Sequence, residues 1–114
     1  MKHPELVRSL LKPALEIYPT VTVAKVNLLH LALGISGEAG EIVDPIKKHF
    51  AYDQILDLEN MIEELGDMEF YLEALRQELG ISRETILAAN IAKLQRRYEA
   101  GYSDKAAAER KDKA

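Results

Sequence analysis

Gly34-Ile35-Ser36-Gly37-Glu38-Ala39-Gly40-Glu41 and, further along, Ile62-Glu63-Glu64-Leu65-Gly66-Asp67 are the stretches around which this 114-residue chain is organised. Each carries two acids three residues apart, Glu38 with Glu41 and Glu64 with Asp67, and twenty-two residues separate Glu41 from Glu64. Residues at i and i+3 are neighbours on one helix face, so two facing helices can aim four carboxylates at one spot. Such carboxylates repel unless cations neutralise them, and hard oxygen ligands suit Mg²⁺ or Mn²⁺. The plain alternative for a single acidic pair is a solvated helix face, because 30% of the chain is charged. The residues around the pairs separate the two readings.

From about Val23 to His49 the chain carries two stripes at helical spacing. Leu28, Leu31, Ile35 and Ile42 make the apolar one. Asn27, His30, Gly34, Gly37, Glu38 and Glu41 make a neighbouring stripe of small and polar residues. A glycine inside a helix costs on the order of 1 kcal/mol relative to alanine, so Gly34, Gly37 and Gly40 imply close helix approach or room for a ligand. Pro45 is expected to bend or end this helix. The next helical stretch, about Leu56 to Leu79, aligns Leu58, Ile62, Leu65 and Leu72 on one line and Met61, Met68, Tyr71 and Leu75 on an adjoining one. Glu64 falls inside that second apolar line, and Asp67 at its border. A carboxylate buried there without a partner is costly, which favours a shared metal site over a solvated face.

Outside this centre the chain reads as further helix. Pro4 and Glu5 suit a first helical turn, and Leu6, Val7, Leu10 and Leu11 recur at helical spacing until Pro13. Thr20 or Thr22 is placed to cap the second helix, Gly80 to stop the third, and Ser82 to cap a fourth from Ser82 to about Tyr98. That fourth helix sets Leu87, Ile91, Leu94 and Tyr98 as a core stripe beside Ile86, Asn90, Lys93 and Arg97. The second of these is an ordinary polar face or a set of groups suited to phosphate. Residues 99–114 are small and charged, with no apolar face, and read as a mobile tail that is at most helical in part. The expectation is one all-α domain over residues 1–98, four-helix bundle-like, with a single small core.

Composition narrows the function. A formal charge of −4 argues against wrapping a nucleic-acid polymer. There is no cysteine, hence no disulfide, thiol nucleophile or zinc thiolate site, and a reducing cytoplasm fits. Met1-Lys2-His3-Pro4-Glu5 lacks a signal-peptide core, and no apolar run approaches the roughly twenty residues that span a membrane. Neither acidic pair is followed by histidine at the spacing of di-iron bundles, and no phosphate-binding glycine loop is present. His30 is a border histidine or a substrate contact, and Met61 and Met68 are most simply core.

At these residues the sequence closely resembles the MazG-like, all-α nucleoside triphosphate pyrophosphohydrolases, whose hallmark is Glu-x-x-Glu, a spacer, then Glu-x-x-Asp. Leu33 to Glu41 is similar to the family's first motif helix, Ile62 to Asp67 to its second, and Asn90-Ile91-Ala92-Lys93-Leu94 with Arg97-Tyr98 to its third block. The likeness implies that Glu38, Glu41, Glu64 and Asp67 hold Mg²⁺, with Mn²⁺ as a substitute. It implies hydrolysis of a nucleoside triphosphate between the α and β phosphates, giving a monophosphate and pyrophosphate. Either Glu38 or Glu63 orients the attacking water. Lys93 and Arg97 offset charge on the leaving pyrophosphate, Asn90 donates to phosphate or sugar, and the base lies near Asn27 and His30 or near residues 49–52. The resemblance also implies a homodimer or homotetramer with sites at or near subunit interfaces, and removal of noncanonical or surplus dNTPs. The rival readings are a phosphoribosyl-ATP pyrophosphohydrolase-like enzyme, a noncatalytic helical interaction module and a metal-storing bundle.

Overall fold

The structure, a computed structural model, describes residues 1–110; the last four residues of the expected tail lie outside the described residues. The described residues form helices α1 (His3–Leu10), α2 (Ala14–Ile17), a 3-10 turn (Tyr18–Thr20), α3 (Val23–Ala51), α4 (Leu58–Leu79), α5 (Arg83–Arg97) and α6 (Asp104–Glu109). Local chemistry sets the boundaries. Thr22 caps α3, its hydroxyl accepting from the Lys25 amide at 3.2 Å. Asp57 caps α4 through the Asn60 amide at 3.1 Å, a cap that the sequence pattern does not single out. Gly80 ends α4 in the left-handed conformation at φ 66°, where a side chain would be strained, and Ser82 caps α5 through the Thr85 amide. Part of the expected tail is helical: Ser103 caps α6 through the Ala106 amide, and Tyr102 donates to Asp104 at 2.8 Å.

Pro45 does not end the second helix. α3 runs for 29 residues straight through it, and Pro45 is the one buried residue among those described. An interior proline costs about 3 kcal/mol or more in lost hydrogen bond and ring clash. Burial of the ring offsets part of that cost. The connector to α4 folds back, so that Gln54, Ile55 and Asp57 line a cavity of about 170 Å³ together with Pro45. A hydrogen bond between His49 Nδ1 and the Gln54 carbonyl at 2.7 Å closes the connector, and Lys48 pairs with Asp44 at 2.8 Å beside the proline.

α3 and α4 form an antiparallel hairpin and are the helices that pack along one another. The half-buried side chains include Leu28, Leu31, Ile35, Glu38 and Ile42 on α3 and Met61, Glu64, Met68, Tyr71 and Leu75 on α4. These rows close on each other. Most of the other apolar line of α4 points away: Leu58, Ile62 and Leu65 are exposed, Ile62 at 70%, while Leu72 is half-buried. A second row on α3, Val26, Leu29, Leu33, Val43 and Ile46, is exposed as well.

No hydrophobic residue among those described is fully buried, so the expected single core is absent within one chain. The radius of gyration is 20.0 Å, against about 13 Å for a compact domain of this length. The accessible surface is 9543 Å², on the order of 3,000 Å² above that of a compact monomer of this mass. The all-α expectation holds. Closure into a four-helix bundle does not occur within the chain, because α5 does not pack along α3 or α4, and its Leu87, Ile91 and Leu94 stay exposed.

Candidate metal and phosphate site

The α3/α4 hairpin brings three of the acids together. Glu38 and Glu64 are half-buried, Asp67 is exposed, and one oxygen from each lies within 4.8 Å of the others. Glu64 occupies the packed row between Met61 and Met68, one helical turn from each, so its carboxyl is carried into the hairpin by the same periodicity that packs the methionines. Burial pushes its pKa up, and the charges of Glu41 and Glu38, a hydrogen bond shared with Glu38, and the Asp67 charge add to the rise. Oε2 of Glu38 is shut off from water and has no hydrogen-bond partner. Buried polar atoms are almost always partnered, so this oxygen marks a place built for something else to bind.

Glu41 lies outside the group of three, although its charge is felt at Glu64. Glu63 is exposed and also lies outside the cluster. Tyr71 is the residue that sequence reasoning takes only for core. It lines a cavity of about 340 Å³ together with Glu38, Asp67 and Phe70, and meets Phe70 edge-on at 5.2 Å. The close approach expected of the glycines occurs at Gly34, where an added Cβ would overlap the Tyr71 ring. At Gly37, Gly40 and Gly66 a Cβ would meet nothing, so within the chain those positions give room rather than contact. The signal for Tyr71 is thus present in the sequence, as a glycine on one helix with no stated partner on the other.

The remaining candidates divide. Asn27 and His30 stand on the same hairpin, farther toward the N-terminus of α3. Asn27 donates to Glu78 at 3.4 Å, and the His30 ring meets Tyr71 edge-on at 6.4 Å. Asn90, Lys93 and Arg97 lie on α5 and do not line the cavity of Glu38 and Asp67. Within one chain two helices, α3 and α4, meet at the acidic cluster. A cavity of about 430 Å³ at the α4/α5 turn includes Arg76 and Arg83, but Arg76 is engaged by Glu73 at 2.9 Å.

The family profile of the MazG nucleotide pyrophosphohydrolase domain matches residues 27–101, the span from Asn27 to the end of α5 and just beyond. The chain belongs to the MazG family. It is also 35% identical over 79 residues to the Gene 37 protein of Mycobacterium phage L5, a match covering 66% of this chain and 69% of that protein. No solved structure matches it. Family membership carries nucleotide pyrophosphohydrolase activity in general terms and the use of a divalent metal. The donors in this MazG chain fit such an ion: three hard carboxylates converge, one with a partnerless buried oxygen and one with a raised pKa that bound positive charge would lower again. No helix among the described residues is long and apolar enough to cross a membrane.

Proposed function

We propose that this MazG chain hydrolyses nucleoside triphosphates, deoxynucleotides included, to a nucleoside monophosphate and pyrophosphate. The observation that carries the reading is the convergence of Glu38, Glu64 and Asp67 around an orphaned carboxylate oxygen, on the hairpin that the family profile matches. Glu38, Glu64 and Asp67 hold Mg²⁺, with Mn²⁺ as a substitute, and Glu41, near enough for its charge to act on Glu64, completes the set. When bound, the ion neutralises phosphate charge, orients the chain of phosphates and acidifies nearby water. Glu38 is better placed than the exposed Glu63 to accept the proton from the attacking water. The phosphoanhydride bond between the α and β phosphates breaks, and attack at either phosphorus yields the same two products.

The chain acts as a homodimer or a pair of dimers. Its excess surface, on the order of 3,000 Å², is in the range that obligate interfaces bury. The exposed rows of α3, α4 and α5 supply the apolar faces, and another copy is the natural occupant. In that assembly Asn90, Lys93 and Arg97 of one copy reach the acidic cluster of the next. There the two cations offset charge on the leaving pyrophosphate, and Asn90 donates to phosphate or sugar. Residues 1–98 form the catalytic unit and 99–114 an accessory tail, and the protein works in the cytoplasm on noncanonical or surplus dNTPs.

Pyrophosphate release from a panel of nucleoside triphosphates and phosphoribosyl-ATP, with and without Mg²⁺, tests this. Release from triphosphates that depends on Mg²⁺ is expected. Folded protein releasing nothing from any substrate sinks the reading, and turnover of phosphoribosyl-ATP alone would move it to the histidine-synthesis type of reaction.

A further inference from the structure

The groove between α3 and α4 extends beyond the carboxylates. Three cross-hairpin pairs mark its rungs in antiparallel order: Glu38 with Asp67, Gly34 with Tyr71, and Asn27 with Glu78. At 1.5 Å per residue, Gly34 stands about 6 Å from the level of Glu38, and Asn27 about 16 Å. Between the last two rungs lies a cavity of about 360 Å³, lined by Asn27, His30, Leu31, Ala74, Gln77 and Glu78. That volume is within the range of small-ligand sites. Tyr71 links the two ends, because it lines the acidic cavity and its ring also meets His30, which lines the second one. An extended nucleotide with its phosphates at the carboxylates carries its base along the groove into this second cavity.

The polar groups at the far end have a definite pattern. Asn27 Nδ2 donates to Glu78 Oε1 at 3.4 Å, a long bond that sets an amide donor beside a carboxylate acceptor. Gln77 spends its amide nitrogen on Glu73, also at 3.4 Å, which leaves its carbonyl oxygen as a second acceptor. Cytosine and adenine present an amino donor next to a ring-nitrogen acceptor on their Watson–Crick edges. Uracil and hypoxanthine present a carbonyl acceptor next to a ring N–H donor, the reverse order. A glutamate accepts from the cytosine amino group, and it repels a carbonyl placed at the same point.

We infer that the cavity between Asn27 and Glu78 is the base subsite, and that its adjacent amide donor and carboxylate acceptor select nucleotides whose base carries an exocyclic amino group beside a ring-nitrogen acceptor, cytosine and adenine. This rests on the hydrolytic reading for its link to catalysis, but the selectivity is a property of binding alone. Glu78 takes the amino group, Asn27 the ring nitrogen, and Tyr71 with His30 flanks the sugar.

Two measurements test it. The first is kcat/KM for pyrophosphate release from dCTP against dUTP and from dATP against dITP, pairs that exchange the amino group for a carbonyl. The amino member should be favoured by about tenfold or more in each pair, since an exposed polar contact discriminates less than a buried one. Glu78→Gln, whose amide can turn to serve either edge, should reduce the ratio to near unity. The second is calorimetric binding of dCMP, dUMP, dAMP and dIMP to the wild-type protein and to Glu78→Gln, which needs no turnover. Equal kcat/KM within the wild-type pairs, equal binding of the four monophosphates, or a preference that survives Glu78→Gln overturns the inference. Loss of hydrolysis on every triphosphate with amino-base binding intact overturns the catalytic reading and leaves this subsite standing.

Discussion

The α3/α4 hairpin and α5 carry equally regular stripes, yet the chain treats them differently. In the hairpin, one row of each helix is half-buried against the other, and the acids that interrupt those rows are drawn together. On α5, the apolar row Leu87, Ile91 and Leu94 is exposed, and the cationic and amide stripe beside it does not line the acidic cavity. The difference shows that the carboxylate half of the site is built by contacts near in sequence, through the short connector between Ala51 and Leu58. The stripe proposed to pair phosphate is left out of that contact within one chain. Amphipathic periodicity says which face of a helix will be covered, but not what covers it.

The comparison breaks first at the carboxylates. Glu64→Gln should lower pyrophosphate release by more than about 100-fold, beyond the usual cost of losing a group that merely supports a metal ligand. Glu63→Gln should retain most activity, and a matching loss there would show that the exposed acid takes the proton. A sharper test concerns α5. Lys93→Ala and Glu64→Gln chains, each nearly inactive alone, should regain about one quarter of wild-type activity when unfolded and refolded together, because half of random dimers are mixed and each mixed dimer holds one intact site. No recovery would mean that α5 serves its own hairpin.

Association itself is read by sedimentation. Ile62→Glu places a charge on the exposed apolar line of α4 and should shift the proposed dimer to monomer at micromolar protein, with loss of cooperative melting. An unchanged sedimentation coefficient would point to the exposed row of α3 or α5 instead. Gly34→Ala acts on the covered side of the comparison. Its Cβ overlaps Tyr71, and overpacking of this kind costs about 1–3 kcal/mol. The melting temperature should fall by several degrees while the oligomeric state holds.

The smallest effect is electrostatic. The folded pKa of Glu64 is raised above its ordinary value of 4.5. Between the two values the folded state holds a proton that the unfolded state has released, so stability falls as pH rises through this window. Melting temperatures of metal-free protein should therefore decline from about pH 4.5 upward, and Glu64→Gln should flatten the decline. Millimolar Mg²⁺ should stabilise wild type at neutral pH and do so less for the variant.

Much of this molecule is legible in the amino-acid sequence. The caps at Thr22 and Ser82, the stop at Gly80 and the short first helix before Pro13 follow from single residues whose side chains or backbone preferences act within one turn. The position of Glu64 in a packed line follows from periodicity alone. Three things are hidden. Pro45 reads as a helix end because its local cost is plain, while the burial of its ring depends on a connector folding back from residues 54 to 57. Tyr71 reads as core because nothing in its own helix reveals that Gly34 leaves it room beside Glu38 and Asp67. The α5 stripe reads as part of the site because its chemistry suits phosphate, whereas its distance from the carboxylates is a matter of topology.

By itself, then, the sequence determined the main helices, the apolar row of α3, and the two acidic pairs, Glu38 with Glu41 and Glu64 with Asp67, that face a common region. Spacing along a helix fixes angular position, and a short connector leaves two such helices little choice of neighbour. Only the tertiary structure decided that Glu41 stands apart from the other three, that Glu38 keeps an oxygen without a partner, and that α5 leaves the hairpin. Those outcomes depend on rotamers and on packing between elements, where ångström-scale differences in distance decide the result and periodicity carries no information.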